Sequence, residues 1–270
     1  MTAWGPRREP GRPATAGQVV LLHGQPGGGS DWDSVVRRLP TSLRVLALDR
    51  AGYRASPHPA GDFAANATIV AADMDDAGID SAIIVGHSYG GGVALALAAD
   101  HPERVQALVL VSSVGPGCLT RWDTLLAAPV AGPICALAAW WMTPPIVRVG
   151  LDRLQRARRR PFDHHQYVNW DVWGNAHHQA GAMWRTFLTE QRALVGGLAE
   201  LSAQLTHITV PTVVLADPAD TLVPLATARA LSEQLPNARL RLVDQGGHHL
   251  PRRVPAAVAD AVAEVAALCR

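Results

Sequence analysis

The stretch SAIIVGHSYGGGVALALAA, residues 81–99, carries the strongest structural signal in this sequence. It begins with a short apolar run, Ala82–Val85, whose β-branched residues predict a buried strand. It ends with residues 93–99, which are rich in helix formers. Between them Ser88 lies in a turn flanked by Gly86 and Gly90, where larger side chains would collide with the neighbouring strand and helix. The pattern predicts a strand, a tight turn and a helix, with a serine hydroxyl at the helix N-terminus, where free N–H groups favour negative charge.

Strand and helix patterns alternate on both sides of this turn, which is typical of a mostly parallel, doubly wound α/β sheet with helices on both faces. The predicted strands are Gln18–Leu22, Arg44–Leu48, Ala82–Val85, Ala107–Val111, Thr212–Leu215 and Arg239–Val243. The predicted helices are Trp32–Leu39, Ala64–Ala77, Gly90–Ala99, Leu225–Gln234 and Ala256–Leu268.

Length and composition limit the possible functions. A chain of 270 residues suits one large α/β domain. Its formal net charge of +1 gives no general attraction to nucleic acid or to anionic membranes. The three cysteines are odd in number and widely spaced, which favours reduced thiols over disulfides. Residues 1–17 lack an apolar segment long enough for secretion, so we expect a flexible N-terminus on a cytoplasmic protein.

A segment of different character, residues 115–210, separates the fourth and fifth predicted strands. We interpret it as a helical cap inserted into a core formed by residues 18–114 and 211–270. Its most apolar part, residues 127–149, is interrupted by four prolines, so we expect no membrane span. The segment holds most of the eight tryptophans, namely Trp122, Trp140, Trp141, Trp170, Trp173 and Trp184. Such rings are typical of packing, and some are candidates for a pocket lining.

Two clusters of basic residues in this segment could be either ordinary surface residues or parts of a functional site. The arginines of residues 153–160 predict a solvated helix face, or a surface that attracts acidic substrates or a partner protein. The histidine pairs at 164–165 and 177–178 lack ordered acidic or cysteine partners, so we expect no metal site.

The Gly86-His87-Ser88-Tyr89-Gly90 pentapeptide resembles the G-x-S-x-G nucleophile elbow of the α/β-hydrolase superfamily. The segment 213–224 is similar to the acid segment of that family, with Asp220 at the position of the acid and Asp217 as the alternative. The Gly247-His248 step resembles the family's histidine loop. The resemblance implies Ser88 as nucleophile, His248 as base and Asp220 as orienting acid, in the chain order expected for this fold. His249 is then a pocket wall or a hydrogen-bonding neighbour.

The His23-Gly24-Gln25 run and the glycines after it resemble the family's oxyanion loop. By that correspondence the backbone N–H groups of Gln25 and Tyr89 would stabilise the anionic intermediate. The alternative, a phosphate-binding loop, lacks the required lysine and serine or threonine, and the glycines do not fit dinucleotide spacing. A further similar segment gives Asp49 and Arg50 a structural role beside this loop. The implied substrate pocket is lined by His23, Trp140, Trp141, Trp170, Trp173 and Trp184.

One feature departs from the family. Its members commonly begin with an antiparallel hairpin, yet residues 1–17 contain no valine, isoleucine or leucine. We expect the first strands of this chain to be missing or degenerate, which concerns only the outer edge of the sheet.

The resemblance implies a serine hydrolase that cleaves an ester or related acyl bond of a small, largely apolar substrate through an acyl-enzyme, without cofactor or metal. A serine at the elbow argues against dehalogenases and epoxide hydrolases, which use aspartate there. Carbon–carbon bond hydrolases and cofactor-free perhydrolases share the triad, and a non-enzymatic ligand-binding protein of this fold is a further alternative. The expected partner is the small-molecule acyl substrate, and the expected state is a monomer or homodimer.

Overall fold

The computed structural model describes residues 17–158 and 176–269. Within these ranges six strands form one parallel sheet in the order β2-β1-β3-β4-β5-β6. The strands are β1 (Gln18–Leu22), β2 (Arg44–Leu48), β3 (Ala82–His87), β4 (Val105–Val111), β5 (Thr212–Ala216) and β6 (Ala238–Leu242). The predicted α/β class with a parallel sheet is therefore confirmed.

Two of the strands, β3 and β4, are longer than predicted by two residues each, and β5 is longer by one residue, Ala216. β3 continues through Gly86 and His87 because these residues pair with Leu110 and Val111 of β4. β4 begins at Val105, which pairs with Ala82 just before a shift in register. Sheet pairing thus extends both strands beyond the apolar runs that predicted them.

The helices are α1 (Asp33–Val36), α2 (Phe63–Asp76), α3 (Tyr89–Asp100), α4 (Arg121–Ala127), α5 (Ala131–Arg158), α6 (Ala176–Gln204), α7 (Leu225–Gln234), α8 (Leu250–Arg253) and α9 (Pro255–Leu268). The predicted helix Trp32–Leu39 is wrong in its bounds, since a 3-10 turn over Gly29–Trp32 precedes the short α1. The proline at position 40 disfavours helical geometry at Leu39 and contributes to the early end of α1.

Both faces of the sheet are covered, as its apolar strands require. Side chains of α2, α3 and α7 form one apolar core with the strands. Side chains of α1 and α9 form a second core on the opposite face. The central strands β1, β3, β4 and β5 are buried along almost their whole length, whereas the edge strand β2 is half-buried.

Between β4 and β5 the described residues form three helices, α4, α5 and α6. These helices contact one another, and α6 also reaches α2 and α3 of the sheet-covering layer. No single helix of the described ranges has the length and apolar composition to cross a bilayer. The segments Arg121–Ala127 and Ala131–Ala139 meet those criteria only as a pair, bent by 103°.

The direction of winding reverses at β1, which pairs with β2 on one side and β3 on the other. In open parallel sheets, loops at the carboxyl ends of the strands separate at such a point and leave a crevice. His23 follows β1 there, and Ser88 follows β3. The expected loss of the N-terminal hairpin concerns residues 1–17, of which 1–16 lie outside the described residues.

Candidate active site

Ser88 occupies a sharp turn between β3 and α3. Its backbone angles are φ 53° and ψ −121°, a left-handed conformation that non-glycine residues rarely adopt. The turn is held by a hydrogen bond from the Ser88 N–H to the Val111 carbonyl, 3.0 Å long. A Cβ at Gly86 would collide with the backbone of α3, and one at Gly90 would collide with the carbonyl oxygens of Leu22 and His23. Both glycines are therefore required by close approach of the backbone.

The side chains of Ser88, His248 and Asp220 form a continuous hydrogen-bonded row. His248 Nε2 lies 3.0 Å from Ser88 Oγ, and His248 Nδ1 lies 2.9 Å from Asp220 Oδ2. A carboxylate only accepts hydrogen bonds, so Nδ1 carries the proton and Nε2 accepts from the serine hydroxyl. Three residues that the motifs predicted, far apart in the sequence, are thus brought together at the carboxyl ends of β3, β5 and β6.

Two carboxylates follow β5, and the structure separates them by their contacts. Burial alone would raise the pKa of Asp220, but the His248 contact and the N–H groups of Leu222 and Val223 lower it. Asp217 instead accepts three backbone hydrogen bonds of 2.7 Å each, from Ala219, Gly246 and Gly247. Against the effect of burial, these donors lower the pKa of Asp217. Asp217 therefore connects the loop after β5 to the histidine loop. None of these three hydrogen bonds involves His248.

Two further histidines, His87 and His249, lie next to His248. His87 Nε2 lies 2.7 Å from the His248 main-chain oxygen. Because that oxygen only accepts, His87 is the donor, and burial followed by the nearby His248 lowers its pKa well below the usual value. The ring of His249 lies 5.6 Å from that of His248. Burial, then the charge of Arg252, lowers the pKa of His249 to about 3, so both neighbours are neutral at neutral pH.

Tyr89 directly follows Ser88, and Gln25 lies in the loop after β1, where a Cβ on the neighbouring Gly24 would lie 3.1 Å from Ser88 Cβ. Tyr89 is the first residue of α3, so its N–H has no acceptor within the helix. Across residues 17–158 and 176–269, neither the Gln25 nor the Tyr89 amide donates to a main-chain carbonyl. The side chain of Gln25 donates from Nε2 to the Phe187 carbonyl of α6, at 2.8 Å. The loop after β1 is thereby attached to the helices between β4 and β5.

His23 is fully buried, and both of its ring nitrogens are engaged. Nε2 accepts from the Arg50 backbone N–H at 3.0 Å, so Nδ1 carries the proton and donates to the Gly24 carbonyl at 2.8 Å. Burial, then the charge of Arg50, lowers the pKa of His23 well below its usual value. His23 therefore supports the loop that follows it, and both of its ring nitrogens are used within the protein.

The tryptophans named as pocket residues differ in their placement. Trp141 of α5 is 52% exposed and Trp184 of α6 is half-buried. Trp170, Trp173 and the side chain of Trp140 lie outside the part of the chain that the structure describes. Trp32, which was not named, is fully buried and packs edge-on against His87 with ring centroids 6.5 Å apart.

Sequence reasoning missed Glu190 of α6. This residue is fully buried and pairs with Arg50, and its Oε2 also accepts from the Tyr53 hydroxyl at 2.6 Å. A signal was present, since Glu190 falls in line with four buried apolar residues of α6, which are Met183, Leu194, Leu198 and Leu201. A carboxylate within such a stripe indicates a buried partner.

The described residues contain no group of three or more His, Cys, Asp or Glu side chains that could hold a metal ion. His164 and His165 lie outside those residues. The chemistry that the site can perform is that of the hydrogen-bonded side chains of Ser88, His248 and Asp220. An imidazole that accepts from a serine hydroxyl can take its proton as the oxygen attacks a carbonyl, and free amides nearby can stabilise the resulting oxyanion.

Comparisons of the sequence and of the structure with known proteins all find hydrolases. Residues 19–261 match the model described as the Alpha/beta hydrolase family. The chain is 31% identical over 270 residues to "Putative carbamate hydrolase RutD" of Caulobacter sp. (strain K31), covering 93% of this chain and 91% of that protein. It is 29% identical over 241 residues to the 2-hydroxymuconate semialdehyde hydrolase of Pseudomonas sp. (strain CF600), covering 85% and 80%. A thermophilic esterase from Thermogutta terrifontis shares the fold, with TM-score 0.70, 19% identity and coverage of 94% and 90%.

Proposed function

The chain belongs to the alpha/beta hydrolase family, and we propose that it is a serine hydrolase that cleaves an ester or related acyl bond. The single observation that carries the proposal is the row of hydrogen bonds from Ser88 Oγ through His248 to Asp220, with lengths of 3.0 and 2.9 Å. This is the arrangement that a weakly nucleophilic hydroxyl needs at neutral pH.

In the proposed mechanism Ser88 Oγ attacks the substrate carbonyl while His248 Nε2 takes its proton. The N–H groups of Gln25 and Tyr89 stabilise the oxyanion of the tetrahedral intermediate. His248 then gives the proton to the leaving group, whose bond to the carbonyl carbon breaks, and the acyl-enzyme remains. Water, deprotonated by His248, releases the acid and restores Ser88. Asp220, whose pKa is lowered despite its burial, stays ionised and stabilises the imidazolium.

The helices α4, α5 and α6 are proposed to act as a cap over this site, within the segment 115–210. Their connection between β4 and β5 and the contacts of α6 with α2 and α3 support this role. A small, largely apolar substrate suits the apolar and aromatic composition of the segment, where Trp141 and Trp184 remain candidates for contact with the acyl group.

A second candidate reaction is carbon–carbon bond hydrolysis with the same three residues. It is favoured by relatives named 2-hydroxymuconate semialdehyde hydrolase, including one from Pseudomonas putida that is 31% identical over 248 residues. Because one relative is named as a carbamate hydrolase, carbamates are a third class of substrate to test beside esters and carbon–carbon bonds. A perhydrolase shares the machinery as well, and differs in using hydrogen peroxide in place of water.

The proposal is tested with an alkyl fluorophosphonate probe and a panel of p-nitrophenyl esters, carbamates and vinylogous 1,5-diketones. We expect covalent labelling and ester turnover by the natural protein, with both lost in Ser88→Ala. Ser112→Ala is the matched control, because Ser112 is also buried, directly follows a strand and has a positive φ of 44°. Folded protein that neither labels nor turns over any of these compounds would instead support a non-enzymatic binding protein.

A further inference from the structure

A buried ion pair joins the core to helix α6. Arg50 follows β2, and Glu190 lies near the middle of α6, 140 residues later. Both side chains are fully buried, and the guanidinium contacts both carboxylate oxygens. Tyr53 completes the group by donating to Glu190 Oε2. Since a buried guanidinium without a partner is costly, Glu190 is the residue that allows Arg50 to remain charged in this position.

The remaining donors of Arg50 point at the loop after β1. Nε donates to the His23 carbonyl at 2.7 Å, and Nη2 donates to the Gly24 carbonyl at 3.0 Å. The Gly24 carbonyl also accepts from His23 Nδ1 at 2.8 Å. Its direction is therefore fixed by two donors, one of them a full positive charge.

The Gly24 carbonyl and the Gln25 N–H belong to the same peptide unit. This unit is trans, so its C=O and N–H groups point in opposite directions within one plane. Donors that hold the Gly24 oxygen on one side consequently fix the direction of the Gln25 N–H on the other. A cation at the oxygen also polarises the peptide and strengthens its N–H as a donor.

We propose that Arg50, held by Glu190, is a positioning residue that aims and polarises the Gly24–Gln25 peptide for oxyanion binding. This inference rests on the proposed function of Ser88 and the Gln25 amide. Helix α6 would then affect the reaction indirectly, because its Glu190 holds Arg50, although we assign no α6 side chain to direct contact with the reacting atoms.

Helix α6 holds the same loop at a second point, one turn earlier. The Gln25 side chain donates to the Phe187 carbonyl, and Thr186 Oγ1 donates to the Gly52 carbonyl at 3.0 Å. The loops after β1 and β2 are therefore both attached to residues 186–190. A shift of this part of α6 would be transmitted directly to the peptide that carries the oxyanion donor.

The test uses Arg50→Lys and the double variant Arg50→Met/Glu190→Met in the full chain. Lysine keeps the charge but lacks the planar fork that reaches Glu190 and two carbonyls together. The double variant removes both charges at once, and apolar replacement of a whole buried pair commonly preserves stability. The control is Arg241→Met/Glu264→Met, which removes a partly exposed ion pair between β6 and α9.

We expect both Arg50 variants to lower kcat for a p-nitrophenyl ester by about 10- to 100-fold, below the loss of a whole oxyanion donor. KM should change by less than about threefold, because the lost interaction acts in the transition state. Affinity for a trifluoromethyl ketone, which forms a tetrahedral adduct with the serine, should fall by the same factor as kcat. The control pair should leave all three quantities unchanged.

The inference is overturned if the folded double variant keeps the natural kcat and ketone affinity, since the pair would then be only structural. It is equally overturned if KM rises while kcat is constant. Failure of the proposed function is a different result, because the natural protein itself would then show neither ester turnover nor fluorophosphonate labelling.

Discussion

His87 donates a hydrogen bond from Nε2 to the main-chain carbonyl of His248, at 2.7 Å. The residue immediately before the proposed nucleophile thus supports the backbone of the proposed base. Because the Ser88 N–H is tied to β4 at the same time, the distance between hydroxyl and imidazole depends on two main-chain contacts as well as on their own hydrogen bond.

This contact predicts different results for two substitutions of His87. His87→Leu removes the donor and should lower kcat by about 10-fold or more, since a base displaced by a fraction of an ångström loses its alignment. His87→Gln keeps an N–H donor of similar reach and should recover most of the activity. Steady-state kinetics on a p-nitrophenyl ester, with circular dichroism to verify folding, provide the measurement. Equal activity of the two variants would contradict a role for the hydrogen bond.

The two carboxylates after β5 should respond differently to loss of charge. Asp220→Asn leaves the fold intact but removes the acceptor that orients His248, so kcat should fall by about 10³- to 10⁴-fold. Asp217→Asn should lower the unfolding free energy by about 2–3 kcal/mol, because an amide cannot accept from three N–H groups as a carboxylate does. Urea unfolding and kcat are measured on both variants. The larger kcat loss in Asp217→Asn would reverse the assignment of the acid.

Gly90 and Gly196 should give opposite stability changes when replaced by alanine. At Gly90 the new methyl group would meet the carbonyl oxygens of Leu22 and His23, with a cost of about 3 kcal/mol. At Gly196, exposed in α6 with no atom near the added Cβ, alanine should stabilise by about 0.5–1 kcal/mol. Thermal unfolding of both variants tests the difference. A harmless Gly90→Ala would mean that the turn is less tightly packed than described.

The pKa of His249 predicts how stability depends on pH. The folded protein keeps this pKa at about 3, against 6.5 for a free histidine. Between these values the unfolded chain binds a proton that the folded chain does not, so stability is lost as pH falls, by at most about 1.4 kcal/mol per pH unit from this residue. His249→Asn should therefore reduce the slope of unfolding free energy between about pH 6.5 and about pH 4.

Urea unfolding over this pH range measures the slope, with the exposed His207→Asn as control. The control should have the slope of the natural protein. The interpretation of His249 as a neutral buried group would be wrong if both variants and the natural protein gave parallel lines.

Much of this fold follows from local sequence. The apolar runs of β1 and β2 are strong enough that their predicted bounds coincide with the structure. The glycines around Ser88 predicted the turn, and the motifs named the three side chains that the structure brings within hydrogen-bond distance. The strands and the turn could be predicted because they depend on residues adjacent in the chain, whereas the roles of the three side chains were implied by the resemblance of their motifs to a known family.

The parts that escaped prediction depend on residues distant in the chain. The place of Glu190 in the buried stripe of α6 indicates a buried partner, but only the fold identifies that partner as Arg50, 140 positions earlier. The role of His87 likewise requires the position of the His248 carbonyl, which is set by the packing of the loop after β6.

The Arg50–Glu190 pair also limits which chimeras can be made by exchanging the segment between β4 and β5 with that of a relative. Ser88, Asp220 and His248 all follow strands of the sheet and lie outside residues 115–210, so exchanging that segment for the corresponding segment of a relative would leave them in place. The exchange would nevertheless strand Arg50 as a buried cation unless the donor segment supplied a carboxylate at position 190. Chimeras of this chain therefore have to be chosen so that the residue at position 190 can pair with Arg50.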